Sequence, residues 1–373
     1  MTGPRFTALA QSLPATVPFV GPEAQERAMG HAFRARIGAN ESVFGPSPKA
    51  IAAMAEAAPG AWMYGDPENF ELKTALAAHH GVGFDNIVVG AGIDGLLGSL
   101  VRLIVGPGDA VVTSDGAYPT FNYHVTGYGG TLHKVPYRDD AEDPDALIEK
   151  AREVDAKLIY LANPDNPMGN WHGAERIQQT IEAVPEGAVL VLDEAYIDTA
   201  PGGTAPPLDP ADPRVIRFRT FSKAYGLAGA RVGYGIAAPD LIMAFNKVRN
   251  HFGMSRVSQA GALAALADQD YLRAVQAKVV AARDALAAIA LKNGLRPLPS
   301  ATNFVTIDCG ADGVFARAVL KALVADGVFV RMPFVVPEDR CIRVSCGTEA
   351  DLAVFAEALP RALNSARETA SKG

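Results

Sequence analysis

The stretch Thr220–Gly235, TFSKAYGLAGARVGYG, sets a lysine and an arginine among small residues, directly after the strand-like run RVIRFR. A solvated lysine needs no such setting. Similar short runs recur upstream, and together they decide the fold class. NIVVG, DAVVTS, AKLIYLANP, AVLVLDEAY and RVIRFRTFS are short and Val/Ile-rich, as strands buried on both faces are. Stretches such as GAERIQQTIEAV lie between them and read as amphipathic helices. The alternation predicts an α/β fold with a large sheet. Asn163, Asp193 and Lys223 fall where strands stop. Ligands collect outside strand C-termini, because neighbouring loops diverge there and leave a crevice.

Working outward, SPKAIAAMAEAA predicts a helix beginning near Pro48, and NFELKTALAAHH predicts another. A long helical region around Ser258 to Lys292 leads into a smaller C-terminal α/β unit with strands in NFVTIDC, GVFVRMP and CIRVSCG. The expected division is an N-terminal arm contributing to the small domain (1–45), a large domain (46–270) and a small C-terminal domain (271–373). APGGTAPPLDPADP reads as a surface loop, and no internal repeat is evident.

The 373 residues, 49% of them hydrophobic, suffice for a large core. A net charge of -7 gives no electrostatic footing for nucleic acid, although an anion pocket needs only a few local arginines. Cys309, Cys341 and Cys346 are too few for a disulfide framework and wrongly spaced for zinc, so no metal is expected. LLGSLVRLIVG is too short to span a membrane, and the N-terminus lacks a basic flank followed by an apolar signal core. The expectation is a soluble cytoplasmic protein.

A lysine in a partly desolvated, cationic pocket has a lowered pKa and can bond covalently to an aldehyde cofactor such as pyridoxal phosphate. Ser222 and Arg231, in the same stretch as Lys223, suit its phosphate. Asp193 follows the apolar run AVLVL, where an unpaired carboxylate is costly, and it suits a protonated pyridine nitrogen. Tyr196 and Asn163 suit the ring oxygen. Each residue alone has an ordinary reading: a strand-loop-helix junction, a helix cap or a turn former. Their joint occurrence is what weakens those readings.

With these residues assembled, the chain resembles the fold type I pyridoxal-phosphate enzymes, in particular class I/II aminotransferases of the histidinol-phosphate aminotransferase type. NPDNPMG is similar to the family's NPNNPTG, VLDEAY to its aspartate-tyrosine element, SKAYGLAGARVGY to its lysine element and IRVSCGT to its C-terminal arginine signature. The resemblance covers nearly the whole chain. It implies an α/β/α large domain with a mainly parallel sheet, a smaller C-terminal α/β domain, and pyridoxal 5'-phosphate covalently attached to Lys223. It further implies Asp193 on the ring nitrogen, Asn163 and Tyr196 on the ring oxygen, and Ser222 and Arg231 on the phosphate. VGAGIDGLL resembles a phosphate cradle in which Gly92, Ile93 and Asp94 open a helix towards the anion. Ile93 stands where a small residue is commoner. Tyr118 resembles the aromatic residue stacked on the cofactor. Tyr64 resembles a phosphate contact supplied by the partner subunit, which implies a homodimer with composite sites.

For substrate, the resemblance places Arg343 on a carboxylate, Arg331 on a second anionic group and Asn40 in the pocket. Two departures stand out: the family's NENPYG is here NESVFG, and Phe19 lacks the hydroxyl of the tyrosine expected near the substrate phosphate. The activity implied is transfer of an amino group to a 2-oxo acid through pyridoxamine phosphate, with histidinol phosphate and 2-oxoglutarate as the leading pair. Aromatic amino-acid transamination is the close alternative. A lyase, a decarboxylase or a noncatalytic cofactor-binding regulator stands further off.

Overall fold

The computed structural model describes residues 3–15 and 20–371. Its strands are β1 (Ala35–Arg36), β2 (Ile87–Gly90), β3 (Ala110–Ser114), β4 (Thr131–Val135), β5 (Leu158–Ala162) and β6 (Val189–Asp193), followed by β7 (Val215–Thr220), β8 (Gly233–Ile236), β9 (Arg296–Pro297), β10 (Phe304–Asp308), β11 (Val328–Phe329) and β12 (Cys341–Ser345). Seven of them form one sheet in the order β2-β8-β7-β6-β5-β3-β4. Every pairing in it is parallel except those of β8, which runs antiparallel to both β2 and β7.

Side-chain alternation along the central strands builds a core on each face of this sheet. Tyr160 of β5 and Val191 of β6 pack with Leu97, Leu100 and Val101 of the helix Gly92–Ile104. Their neighbours Leu161, Leu190 and Leu192 pack on the other face with Leu147 and Ile177, from the helices Pro144–Glu153 and Ala174–Glu182. Helices therefore cover both faces, which is the layering expected of these apolar strands.

A separate core joins Ile37 to Val305, Leu323, Ile342 and Phe355, so the N-terminal arm and the C-terminal strands share one interior. Parallel pairing of β1 with β11 fixes that return, and β12-β10-β9 forms an antiparallel sheet beside it. The helix Gln269–Lys292 links the two units, since Leu272 packs in a large-sheet cluster and Val275 in the small core. The expected long helical region is broken: Arg256–Ala267 and Gln269–Lys292 are separate helices flanking Asp268, whose carboxylate accepts from Lys49 Nζ at 2.9 Å. Among the described residues no helix is long and apolar enough to cross a membrane.

Two adjacent strands of the large sheet, β6 and β7, are locked together by a buried ion cluster. Glu194, just past β6, accepts from Arg217 Nη2 at 2.6 Å and from Arg219 Nε at 2.8 Å, both on β7. The loop after β7 is held from the other side by Gly226, which has φ +69°; a Cβ there would lie 2.3 Å from the Gly45 carbonyl oxygen. Only glycine permits that approach, and it brings the loop carrying Lys223 against the N-terminal arm.

Candidate active site

A cavity of about 450 Å³ opens between the C-terminal rim of the large sheet and the small unit, a size suited to a small-molecule ligand. It brings together Asn40, Ile93, Asp94, Tyr118, Asp193, Tyr196, Ser222, Lys223, Arg231, Arg331 and Arg343. These residues come from seven separate segments of sequence, and the sheet topology is what gathers them.

Lys223 lies in the loop after β7, and its Nζ donates to the main-chain oxygen of Asn40 at 3.0 Å. Burial, followed by the charge of Arg343, lowers the amine to about 8. A substantial neutral fraction is therefore present near pH 8, and the neutral amine is the nucleophilic form. Asn40 adopts φ 56° and also donates its side-chain amide to the Tyr196 hydroxyl at 3.0 Å, while Ser345 Oγ donates to its Oδ1 at 3.0 Å. Asn40 thus ties lysine, tyrosine and small unit together at one residue.

Asp193 ends β6 in a buried position, and burial raises its pKa. Two donors oppose that effect: the Tyr160 hydroxyl at 2.7 Å on Oδ2 and the Ala195 N–H at 2.9 Å on Oδ1. Tyr118 and Tyr196 are pushed up to about 12 by burial, so both hydroxyls keep their protons and serve as donors.

The helix Gly92–Ile104 begins at the cavity rim, and Ile93 and Asp94 line it. Gly92 has φ +79°, and a Cβ on it would fall 2.3 Å from Arg231 Nη2. Glycine therefore lets the guanidinium lie against the helix start. Arg231 Nη1 donates to the Ala228 carbonyl at 3.1 Å and to Ser222 Oγ at 3.4 Å. Helix amides, a hydroxyl and a guanidinium on one wall make an anion-binding arrangement. Across the cavity, Arg331 and Arg343 are bridged through their main chains. Arg343 sits over the Phe304 ring at 5.3 Å, and burial lowers it to about 10. A buried guanidinium is costly without an anion, so this wall too suits an anionic ligand.

One expected contact is not met inside this cavity. Asn163 does not line it: its Oδ1 accepts from the His172 N–H at 2.8 Å and its Nδ2 donates to the His172 carbonyl at 3.1 Å, so the amide fastens a loop. Asn166, three residues on in the same NPDNPMG, lines the cavity and accepts from Arg343 Nη1. Tyr64 is 77% exposed and stands outside its own cavity, against Phe252 at 4.8 Å between ring centroids. Phe19 lies outside the described residues. Besides Asn166, the reading from sequence missed Tyr160, whose role depends on a partner 33 residues away.

Asp165 occupies the third position of NPDNPMG and is buried beside Glu142, with which it shares a hydrogen bond. Glu142 also accepts from Ser114 Oγ at 2.6 Å and from the Ala162 N–H at 3.0 Å, and Asp165 accepts from the Tyr137 hydroxyl at 3.0 Å. Burial raises Asp165 to about 6 and Glu142 well above its ordinary value of 4.5. Groups with raised folded pKa values bind protons more tightly in the folded state. Their stabilisation is complete below the ordinary carboxyl range and is lost as pH rises through the folded values. Glu142→Gln supplies a permanent N–H where the shared proton sits. From pH 4.5 upwards through pH 6, wild-type stability is therefore expected to fall relative to that of Glu142→Gln in thermal or urea melts. Parallel stability profiles for the two proteins would contradict the shared proton.

The match to known proteins agrees with this geometry. Residues 36–359 match the family model for aminotransferase class I and II. The histidinol-phosphate aminotransferase 1 of Mesorhizobium japonicum is 36% identical over 335 residues, covering 88% of this chain and 90% of that protein. The histidinol-phosphate aminotransferase 2 of Carboxydothermus hydrogenoformans is 34% identical over 359 residues, covering 95% of this chain and 98% of that protein. The crystal structure of histidinol-phosphate aminotransferase from Sinorhizobium meliloti in complex with pyridoxal-5'-phosphate superposes with a TM-score of 0.95 at 55% identity, over 98% of this chain and 99% of that one. With its lysine, its carboxylate and its anion-binding walls placed around one cavity, the chain belongs to the class I and II aminotransferase family.

Proposed function

We propose that the protein is a pyridoxal 5'-phosphate-dependent aminotransferase that moves an amino group from histidinol phosphate to 2-oxoglutarate. The observation that carries this reading is one cavity holding a part-buried, low-pKa lysine opposite Asp193 and two bridged arginines, Arg331 and Arg343. The donor with its phosphate and the acceptor with its carboxylates are both anionic, which suits that wall. Relatives at 34–36% identity and a solved structure at 55% identity carry the name histidinol-phosphate aminotransferase, and this supports histidinol phosphate over an aromatic amino acid.

The residues present fit the cofactor. When bound, it supplies an aldehyde for amines and a ring that accepts the electron pair left when a proton leaves the substrate carbon. Lys223 would hold the cofactor covalently, and its Nζ would carry the proton to and from the reacting carbon. Asp193 would hold positive charge at the ring nitrogen. Tyr196 and Asn166 would donate to the ring oxygen, Asn166 taking the place first expected of Asn163. Tyr118 would pack against the ring. Ser222, Arg231 and the amides of Ile93 and Asp94 would take the phosphate. Arg343 binds a carboxylate of the 2-oxo acid, and Arg331 meets the phosphate of the donor.

The test is a half-reaction panel of histidinol phosphate, phenylalanine, tyrosine, histidine and glutamate, read from cofactor absorbance as kcat/KM. Histidinol phosphate is expected to lead the amines. Arg331→Ala should then cost it roughly 10- to 100-fold, the worth of a hydrogen bond to a charged group, while sparing phenylalanine. Turnover of phenylalanine or tyrosine without histidinol-phosphate turnover would replace this substrate assignment with the aromatic one.

We also propose a homodimer in which Tyr64 reaches the partner's cofactor phosphate. Tyr64, Trp62 and Phe252 are 77%, 83% and 54% exposed, and an apolar patch of this kind suits a subunit contact. Mixed dimers of Lys223→Ala and Tyr64→Phe chains separate the alternatives. A crossing Tyr64 leaves one site per mixed dimer with both its lysine and its tyrosine, so that site binds cofactor with wild-type affinity. A Tyr64→Phe defect at the only lysine-bearing site would overturn the crossing.

A further inference from the structure

Tyr160 has no contact with cofactor or substrate in the roles assigned so far. It sits in the middle of β5, fully buried, with its ring stacked on Phe121 at 4.7 Å and an interplanar angle of 20°. The stack alone needs only a phenyl ring. The hydroxyl is an added polar group inside the sheet, and it donates to Asp193 Oδ2 at 2.7 Å across the β5–β6 pairing. Buried phenols need an acceptor, and the part-buried Tyr271 uses main-chain carbonyls for that purpose. Tyr160 instead uses the one carboxylate facing Lys223 from the sheet.

The two oxygens of Asp193 take one protein donor each, Tyr160 on Oδ2 and the Ala195 N–H on Oδ1. A carboxylate oxygen has two acceptor directions, so each oxygen keeps one for a ligand. The donors fix the plane of the carboxylate before any ligand arrives. Resting on the cofactor reading above, we propose that Tyr160 is a positioning residue that orients Asp193 and keeps it ionised in readiness for the ring nitrogen.

The electrostatic surroundings give this bond its weight. Burial pushes Asp193 towards its neutral form, and the neighbouring Glu194 carboxylate pushes the same way. Tyr160 opposes them most strongly, ahead of the Ala195 amide and the Lys223 charge. The other ionisable groups facing Asp193 are the phenols Tyr118 and Tyr196, both held protonated by burial. Tyr160 is itself raised well above the ordinary phenol range by burial, so it remains the donor. Without its hydroxyl, nothing equivalent offsets the desolvation of Asp193.

Tyr160→Phe keeps the stack with Phe121 and deletes the donor. In apoprotein carrying 13C-carboxyl aspartate, with the Asp193 signal identified by its loss in Asp193→Asn, the midpoint of Asp193 is expected to move to higher pH in Tyr160→Phe. Affinity for pyridoxal phosphate at pH 7 should fall on the order of 3- to 10-fold, the worth of one hydrogen bond to a charged group or somewhat less, and should recover as pH is raised. In an Asp193→Asn background the same substitution should leave affinity unchanged. Should Tyr160→Phe fold poorly, 3-fluorotyrosine at position 160, a stronger donor, is expected to shift the midpoint the other way. An unchanged Asp193 midpoint, or an equal affinity loss in both backgrounds, would reduce Tyr160 to packing and overturn the proposal. The apoprotein titration does not depend on cofactor binding. Wild-type protein that fails to bind pyridoxal phosphate would instead sink the functional reading.

Discussion

The arrangement depends on the desolvation of one amine. Lys223 Nζ is held 3.0 Å from the Asn40 carbonyl, near Arg343, and loses proton affinity there. Water at this point would restore an ordinary lysine. The fold limits the amine's exposure by pressing the loop after β7 onto the N-terminal arm, which requires glycine at 226 against Gly45 and a left-handed backbone at Asn40. Gly226 therefore helps set the position of Lys223 although it does not line the cavity.

Charge is arranged around that amine with a clear asymmetry. Arg231, Arg331 and Arg343 approach the cavity from two walls, Asp193 faces it from the sheet, and Glu41 and Asp94 also line it. The carboxylates that lie close behind are kept quiet by different means. Glu194 is neutralised by Arg217 and Arg219, whereas Glu142 and Asp165 share a hydrogen bond and are pushed towards protonation. The net result favours anionic ligands at both ends and leaves a single negative charge at the sheet. A chain of net charge -7 can thus carry an anion site, because the local balance is set by burial and not by composition.

The sheet was legible because its central strands are apolar runs of the right length, and Asp193 and Lys223 were legible because a charge at the end of such a run requires a reason. β4 and β8 were harder to see. TLHKV lies at the edge of the sheet and carries polar residues, and GYGI is hidden in the glycine-rich stretch that also holds Lys223. Asn163 and Asn166 illustrate a finer limit. Both are asparagines in NPDNPMG, and only the closing of a loop onto His172 decides which of them faces the cavity. Tyr160 and Glu142 escaped notice for a related reason: their partners Asp193 and Asp165 lie on other segments, so pairing appears only once the strands are side by side.

The central claim is that Lys223 is the covalent attachment point for the cofactor, and the direct measurement is borohydride reduction of the pyridoxal-phosphate-loaded protein followed by peptide mass mapping. The account predicts one reduced adduct, on the peptide containing Lys223, that disappears when an amino donor is added before reduction. A reproducible adduct confined to a different lysine, or full turnover retained by Lys223→Ala, would contradict it.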